Sequence, residues 1–116
     1  MRDDLLFHIT TKEGWKEAQE GGSYIPESLD TEGFIHCSSG DQLEETANRL
    51  FGDEDRILLL VIDASMIRDD VKYEKDEESG EKFPHIYGPI SVNAIIDKIE
   101  VEANKNGKFN IAFTSD

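Results

Sequence analysis

Three histidines carry most of the chemistry this sequence can offer, and each lies in an apolar, strand-like setting: Phe7-His8-Ile9, Ile35-His36-Cys37 and Pro84-His85-Ile86. Side chains on a strand alternate between its faces. His8 therefore shares a face with Leu6 and Thr10, His36 with Phe34 and Ser38, and His85 with Phe83 and Tyr87. Each imidazole has an apolar residue two positions before it and a hydroxyl two positions after. An apolar floor, a proton-switchable ring and a hydroxyl are what the wall of a polar pocket in a sheet needs. His36 and His85 are the expected acid–base pair, and His8, Thr10, Ser38, Ser39 and Tyr87 the expected ligand contacts. A single histidine in such surroundings is more often a satisfied core group, so the functional reading requires the folded sheet to bring the three to one cleft.

Ser39 with Gln42 has capping-box spacing, which leaves the Ser38 hydroxyl available to a ligand. Ser38, Ser39 and Gly40 then form an expected anion-binding corner at a helix N-terminus. Cys37 neighbours His36 but points to the opposite face of the strand, so it reads as a buried structural thiol rather than a nucleophile. Trp15, Tyr24 and Phe34 offer flat rings for stacking, with Trp15 also expected to pack the first helix onto the sheet. No GxGxxG, Walker A, HExxH, CxxC or EF-hand pattern occurs.

Acidic residues number 26 against 12 basic ones in 116, a formal charge of −14. Such a surface repels phosphate backbones and anionic lipid over roughly 8 Å at physiological salt. Nucleic acid and membrane are thereby excluded as generic partners, while a small nucleotide held by local donors is not. The single cysteine rules out an intrachain disulfide and fits a reducing compartment. The apolar stretch after Met1-Arg2-Asp3-Asp4 is very short and interrupted by His8, unlike a signal peptide or a membrane span, so a cytoplasmic protein is expected.

The elements that must position these residues follow from periodicity and caps. A strand is predicted over Leu5–Ile9. A helix opened by the capping box Thr10-Thr11-Lys12-Glu13 runs to Glu20 and stops at Gly21-Gly22. Ser23 to Gly33 reads as a loop and Phe34–Ser38 as a strand. Leu43, Ala47, Leu50 and Phe51 recur at helical spacing before Gly52. Arg56–Asp63 is apolar on both faces, as a strand in the middle of a sheet must be. Val71–Tyr73 predicts a short strand, Glu74–Lys82 a solvated charged loop, and Phe83–Tyr87 a strand closed by Gly88-Pro89. Ile95–Val101 and then Phe109, Ile111 and Phe113 alternate on either side of the turn Asn104-Lys105-Asn106-Gly107. The expectation is one domain over residues 1–116, α+β in class, with a mainly antiparallel sheet and two helices in the N-terminal half.

The ordered set Phe7-His8-Ile9-Thr10, Gly33-Phe34-Ile35-His36-Cys37-Ser38 and Phe83-Pro84-His85-Ile86-Tyr87-Gly88-Pro89, with Trp15 and Gln42 between, resembles a bacterial domain-of-unknown-function family, DUF952. That family looks like a compact relative of the ADP-ribosyltransferase fold, a split β-sheet around an NAD-binding cleft. The resemblance implies NAD, ADP-ribose or a related nucleotide as ligand. It implies that His8 with Thr10 matches the H-x-T element holding a ribose hydroxyl, and that His36 and Ser38 line the nicotinamide side. His85 falls where many of those transferases place a glutamate that stabilises the ribosyl cation. Histidine supplies no fixed negative charge there, which points to histidine acid–base chemistry on a nucleotide or to binding without turnover. Two other readings stand beside it: a three-histidine zinc centre with an open position, and an interaction module whose acidic surface meets a basic partner and whose histidines are structural.

Overall fold

The computed structural model describes residues 5–77 and 80–111. Among these, nine strands form three three-stranded antiparallel sheets, and three α-helices sit between them. The chain order is β1 (Leu5–Thr10), α1 (Lys12–Glu17), β2 (Gln19–Glu20), β3 (Ser23–Tyr24), α2 (Glu27–Thr31), β4 (Ile35–His36), α3 (Leu43–Leu50), β5 (Arg56–Asp63), β6 (Val71–Lys75), β7 (Lys82–Ile86), β8 (Ile90–Ser91) and β9 (Ile95–Glu102). The sheets run β1-β5-β9, β2-β3-β8 and β4-β7-β6. The α+β class and the antiparallel pairing are as the sequence predicts.

β5 is the central strand of its sheet, which accounts for its two apolar faces. Leu58, Leu60 and Ile62 join Leu6, Tyr24, Ile35, Cys37, Ile86 and Ile90 in one core, on the side where the two smaller sheets pack. Ile57, Leu59 and Val61 join Phe7, Ile9, Leu43, Ala47 and Phe109 in a second core under α3. Leu59 has no exposed surface, and full burial of such a side chain contributes about 1.5–3 kcal/mol.

The sheets carrying the histidines are joined at one bridge. The Phe7 N–H donates to the Ser38 carbonyl at 2.9 Å and the Ser38 N–H to the Phe7 carbonyl at 2.7 Å. Between Ser38 and β4, the Cys37 N–H donates to the Pro84 carbonyl at 3.0 Å. Backbone pairing thus runs from β1 through the end of β4 into β7.

Several boundaries differ from the sequence expectation. The predicted loop between Ser23 and Gly33 contains strand β3 and the short helix α2, so three helices are present rather than two. The first helix is capped by Thr11, whose hydroxyl accepts from the Gly14 N–H at 3.1 Å, and it ends at Glu17 so that Gln19–Glu20 can pair with β3. Glycine at position 14 has a packing reason: a Cβ there would lie 2.6 Å from the Thr10 hydroxyl oxygen. The charged stretch after Tyr73 begins inside a strand, since β6 extends to Lys75 and pairs with β7. The turn at Asn104 forms, with the Asn104 N–H donating to the Lys108 carbonyl at 2.8 Å and Gly107 at positive φ. The segment beyond it does not return along β9 as a strand; Phe109 plugs the second core instead, and Phe113 lies outside the described residues.

Candidate functional site

His36 and His85 are directly opposite one another in the β4–β7 pair. Partners at such a position share a sheet face, and their ring centroids are 5.3 Å apart at an interplanar angle of 76°. Phe34 stacks on His85 with centroids 4.1 Å apart, stands edge-on to His36 at 4.8 Å, and lies 5.4 Å from Tyr87. The opposite faces of the same strands, with Ile35, Cys37 and Ile86, are buried in the first core. Alternation along two short strands therefore sorts apolar residues inward and imidazoles outward.

Each of these two imidazoles is held by a carboxylate. His36 Nε2 is 3.0 Å from Glu32 Oε1, and His85 Nδ1 is 2.7 Å from Glu74 Oε1. The Tyr87 hydroxyl donates to the same Glu74 oxygen. Those two hydrogen bonds, Tyr87 first, hold the Glu74 carboxyl below the ordinary carboxylate range, and the same contact pushes the Tyr87 phenol up. Two cations border the face: the Lys72 ammonium lies 5.1 Å from the Tyr87 ring centroid, and the Arg49 guanidinium 6.0 Å from that of Phe83.

His8 differs from the expectation. It is buried, with Nδ1 donating to the His36 carbonyl at 2.6 Å and Nε2 accepting from the Tyr24 hydroxyl at 2.8 Å. Burial drives its pKa from 6.5 to about 4, so the ring is neutral. Tyr24, pushed up to about 12 by burial, is also hydrogen-bonded by Thr10. His8 and Thr10 thus use their polar atoms within the protein and form a core relay rather than a ligand-facing pair. The three-imidazole set of a zinc centre is not formed; among the described residues no group of three or more His, Cys, Asp or Glu is placed to hold a metal ion.

The anion-binding corner also differs. α3 begins at Leu43, four residues beyond the expected cap, with no side-chain cap at Gln42. Half of the capping box survives: Gln42 Oε1 accepts from the Ser39 N–H at 3.1 Å, while its Nε2 donates to the Lys82 carbonyl at 2.8 Å. The Ser39 N–H is therefore spoken for. Ser38 is buried and its backbone is engaged with Phe7. Burial pushes the Cys37 thiol up, in keeping with a structural role.

Glu32 and Glu74 are the site residues that sequence reasoning missed. Glu74 continues the alternation of Val71–Tyr73 by one residue, and Glu32 lies four before His36; those spacings were the available signals.

An α+β domain with three antiparallel sheets and two carboxylate-held imidazoles on an outer sheet face is the class that the fold and the site define. The chain belongs to a family of proteins of unknown function, DUF952, whose model matches residues 9–98. It is similar to protein CC0527 from Caulobacter crescentus. The crystal structure of that protein superposes with a TM-score of 0.81 at 28% identity, covering 91% of this chain and 93% of that one. Its solution NMR structure gives a TM-score of 0.76 at 29% identity, covering 90% of each. A search of the curated proteins finds no match. Among the described residues no helix is long and apolar enough to cross a membrane.

Proposed function

We propose that the outer face of the β4-β7-β6 sheet is an acid–base site for an NAD- or ADP-ribose-like nucleotide, with His36 and His85 transferring protons and Glu74 supplying a fixed negative charge. The observation that carries this reading is the pair of imidazoles 5.3 Å apart, each hydrogen-bonded to its own carboxylate. Acid–base catalysis needs two titratable groups near one reacting centre, one giving and one taking a proton, each oriented by a third group.

Glu74 bears on the resemblance to ADP-ribosyltransferases. On that resemblance His85 would fall where those enzymes place a glutamate, and an imidazole alone supplies no fixed charge to a ribosyl cation. Glu74 enters from the neighbouring strand and brings a carboxylate, kept ionised, to His85 and Tyr87. A carboxylate oriented in this way would favour a cation developing beside it. Lys72 at the border offers a local donor for phosphate on an otherwise acidic protein, while the Arg49 guanidinium is already placed 3.7 Å from the Asp76 carboxylate. Phe34 and Tyr87 offer flat surfaces beside the imidazoles.

Thermal unfolding with NAD, ADP-ribose, ADP and AMP tests the reading. A ligand at 100 times its dissociation constant adds about 2.7 kcal/mol of stability. The expected result is a shift with NAD or ADP-ribose that disappears in His85→Ala and weakens in Glu74→Gln; no shift with any of the four overturns it.

A further inference from the structure

We infer that His36 and His85 together form a two-imidazole site for a borderline transition-metal ion such as Zn²⁺, Ni²⁺ or Cu²⁺, with Glu32 and Glu74 as the carboxylates that orient the ligands. This does not rest on the nucleotide reading. Three observations carry it.

The first is spacing. Two imidazoles bound to one tetrahedral zinc at ~2.0–2.1 Å place their ring centroids ~5.2 Å apart. The centroids of His36 and His85 are 5.3 Å apart before any metal is added. Both rings project from directly opposed residues of an antiparallel pair, so the backbone fixes their separation.

The second is the carboxylate behind each ring. Metal-bound histidines commonly donate their other nitrogen to a carboxylate, which sets the tautomer and raises the basicity of the coordinating atom. Glu32 engages His36 Nε2 and Glu74 engages His85 Nδ1. That leaves His36 Nδ1 and His85 Nε2 as the ligand atoms. Phe34 stacks on His85 at 4.1 Å and packs against His36 at a steep interplanar angle, so it stiffens the pair.

The third is access and charge. The His36 side chain is half exposed and that of His85 keeps 14% of its surface, so an ion arrives from solvent on the His36 side. The net charge of −14 raises the local concentration of cations around the molecule. Two protein ligands leave two tetrahedral positions for water or for an oxygen of a small ligand. Imidazole selects Zn²⁺, Ni²⁺ and Cu²⁺ over Mg²⁺ and Ca²⁺, which prefer oxygen. Metal and proton transfer compete for the same nitrogens, so a bound ion turns off acid–base chemistry at this face.

Isothermal titration of the purified chain with Zn²⁺ and Ni²⁺, repeated with Mg²⁺ and Ca²⁺, separates imidazole binding from weak binding to surface carboxylates. The expected result is one saturable Zn²⁺ and Ni²⁺ site, absent for Mg²⁺ and Ca²⁺, lost in both His36→Gln and His85→Gln. Glu32→Gln and Glu74→Gln should weaken it about ten- to a hundredfold. Because His36 lies at the surface, His36→Gln should keep the wild-type unfolding midpoint and serves as the decisive variant. Binding unchanged in folded His36→Gln, or equal affinity for all four ions, overturns the inference. Loss of NAD or ADP-ribose binding would leave this result untouched, so failure of the nucleotide reading and failure of the metal site are distinguishable.

Discussion

Glu74 faces Phe83 across the β6–β7 pair, yet its carboxylate reaches diagonally to His85 Nδ1 at 2.7 Å. A diagonal contact of this kind is within reach of a long side chain on a shared sheet face. It sets the chemistry of the candidate site, because the same oxygen also accepts from Tyr87 and so ties together an acid, a base and a phenol from two strands.

Replacing Glu74 by Gln should therefore alter titration more than folding. Tyr87 is raised chiefly by its hydrogen bond to the carboxylate, so its phenol should titrate at lower pH in Glu74→Gln, read by ultraviolet absorbance of the phenolate. The sign for Glu74 itself is opposite. Its folded pKa is depressed, so its contribution is present above the unfolded value of 4.5 and fades as pH falls through the lower folded value. The group is solvent-facing, and the unfolding midpoint at neutral pH should hardly move. An unchanged Tyr87 titration in the variant would show that the two groups are not coupled.

His8 gives the chain an acid-sensitive point. The unfolded chain protonates this ring near 6.5, whereas the folded protein holds it neutral down to about 4 because of burial. Below 6.5 the unfolded state gains a proton that the folded state refuses. Stability should be complete above pH 6.5 and decline as pH drops to about 4, by about 3 kcal/mol in total. Urea unfolding across that range reads the slope. His8→Gln can still donate to the His36 carbonyl and accept from Tyr24, and it should flatten this part of the profile. A profile as steep as wild type in His8→Gln would assign the acid sensitivity to other groups.

The sequence showed much of the scaffold and half of the site, for reasons visible in particular residues. β5 was legible because a run of six apolar residues is short for a helix and suits a strand covered on both faces. The outward placement of His36 and His85 followed from alternation with Ile35, Cys37 and Ile86. Convergence of all three histidines did not follow, because β1 contributes its His8 face to the core; face sharing within a strand says nothing about which layer that face meets. Glu74 was hidden by composition: a run of charges reads as solvent-exposed loop, and only pairing with β7 extends the strand to include it. The cap of α3 was misplaced because Gln42 had two uses, one for the Ser39 N–H and one for the Lys82 carbonyl, and the second holds residues 40–42 in a turn.

Tyr24→Phe should be costly although it removes one oxygen. Tyr24 is 1% exposed, and its hydroxyl is the donor to His8 Nε2. The variant keeps the ring but leaves a buried acceptor without its donor, for which about 1–3 kcal/mol is typical. Denaturant unfolding should show that loss with an unchanged slope. A difference below about 0.5 kcal/mol would mean that water or Thr10 replaces the phenol without penalty.

Asn48 has the corresponding role at the other end of the chain. Phe109 lies in the second core without strand partners, so its backbone needs side-chain partners. Asn48 provides both: its Oδ1 accepts from the Phe109 N–H at 2.7 Å, and its Nδ2 donates to the Phe109 carbonyl at 3.0 Å. Glu44 Oε1, one turn earlier on α3, accepts from the Ile111 N–H at 2.7 Å. One helix face thus imitates a strand edge for the segment after β9. Asn48→Ala removes both contacts to Phe109, and the segment should detach locally before the sheets unfold, because only the apolar ring and the Glu44 contact to Ile111 then hold it. Amide hydrogen exchange should become much faster at Phe109 and Ile111 while Leu59 and Leu60 in β5 keep their protection. Asn48→Asp retains the acceptor but loses the donor and sets a carboxylate against a carbonyl, so its exchange should be nearly as fast. Uniform loss of protection across β5 in either variant would instead make Asn48 part of the global folding unit.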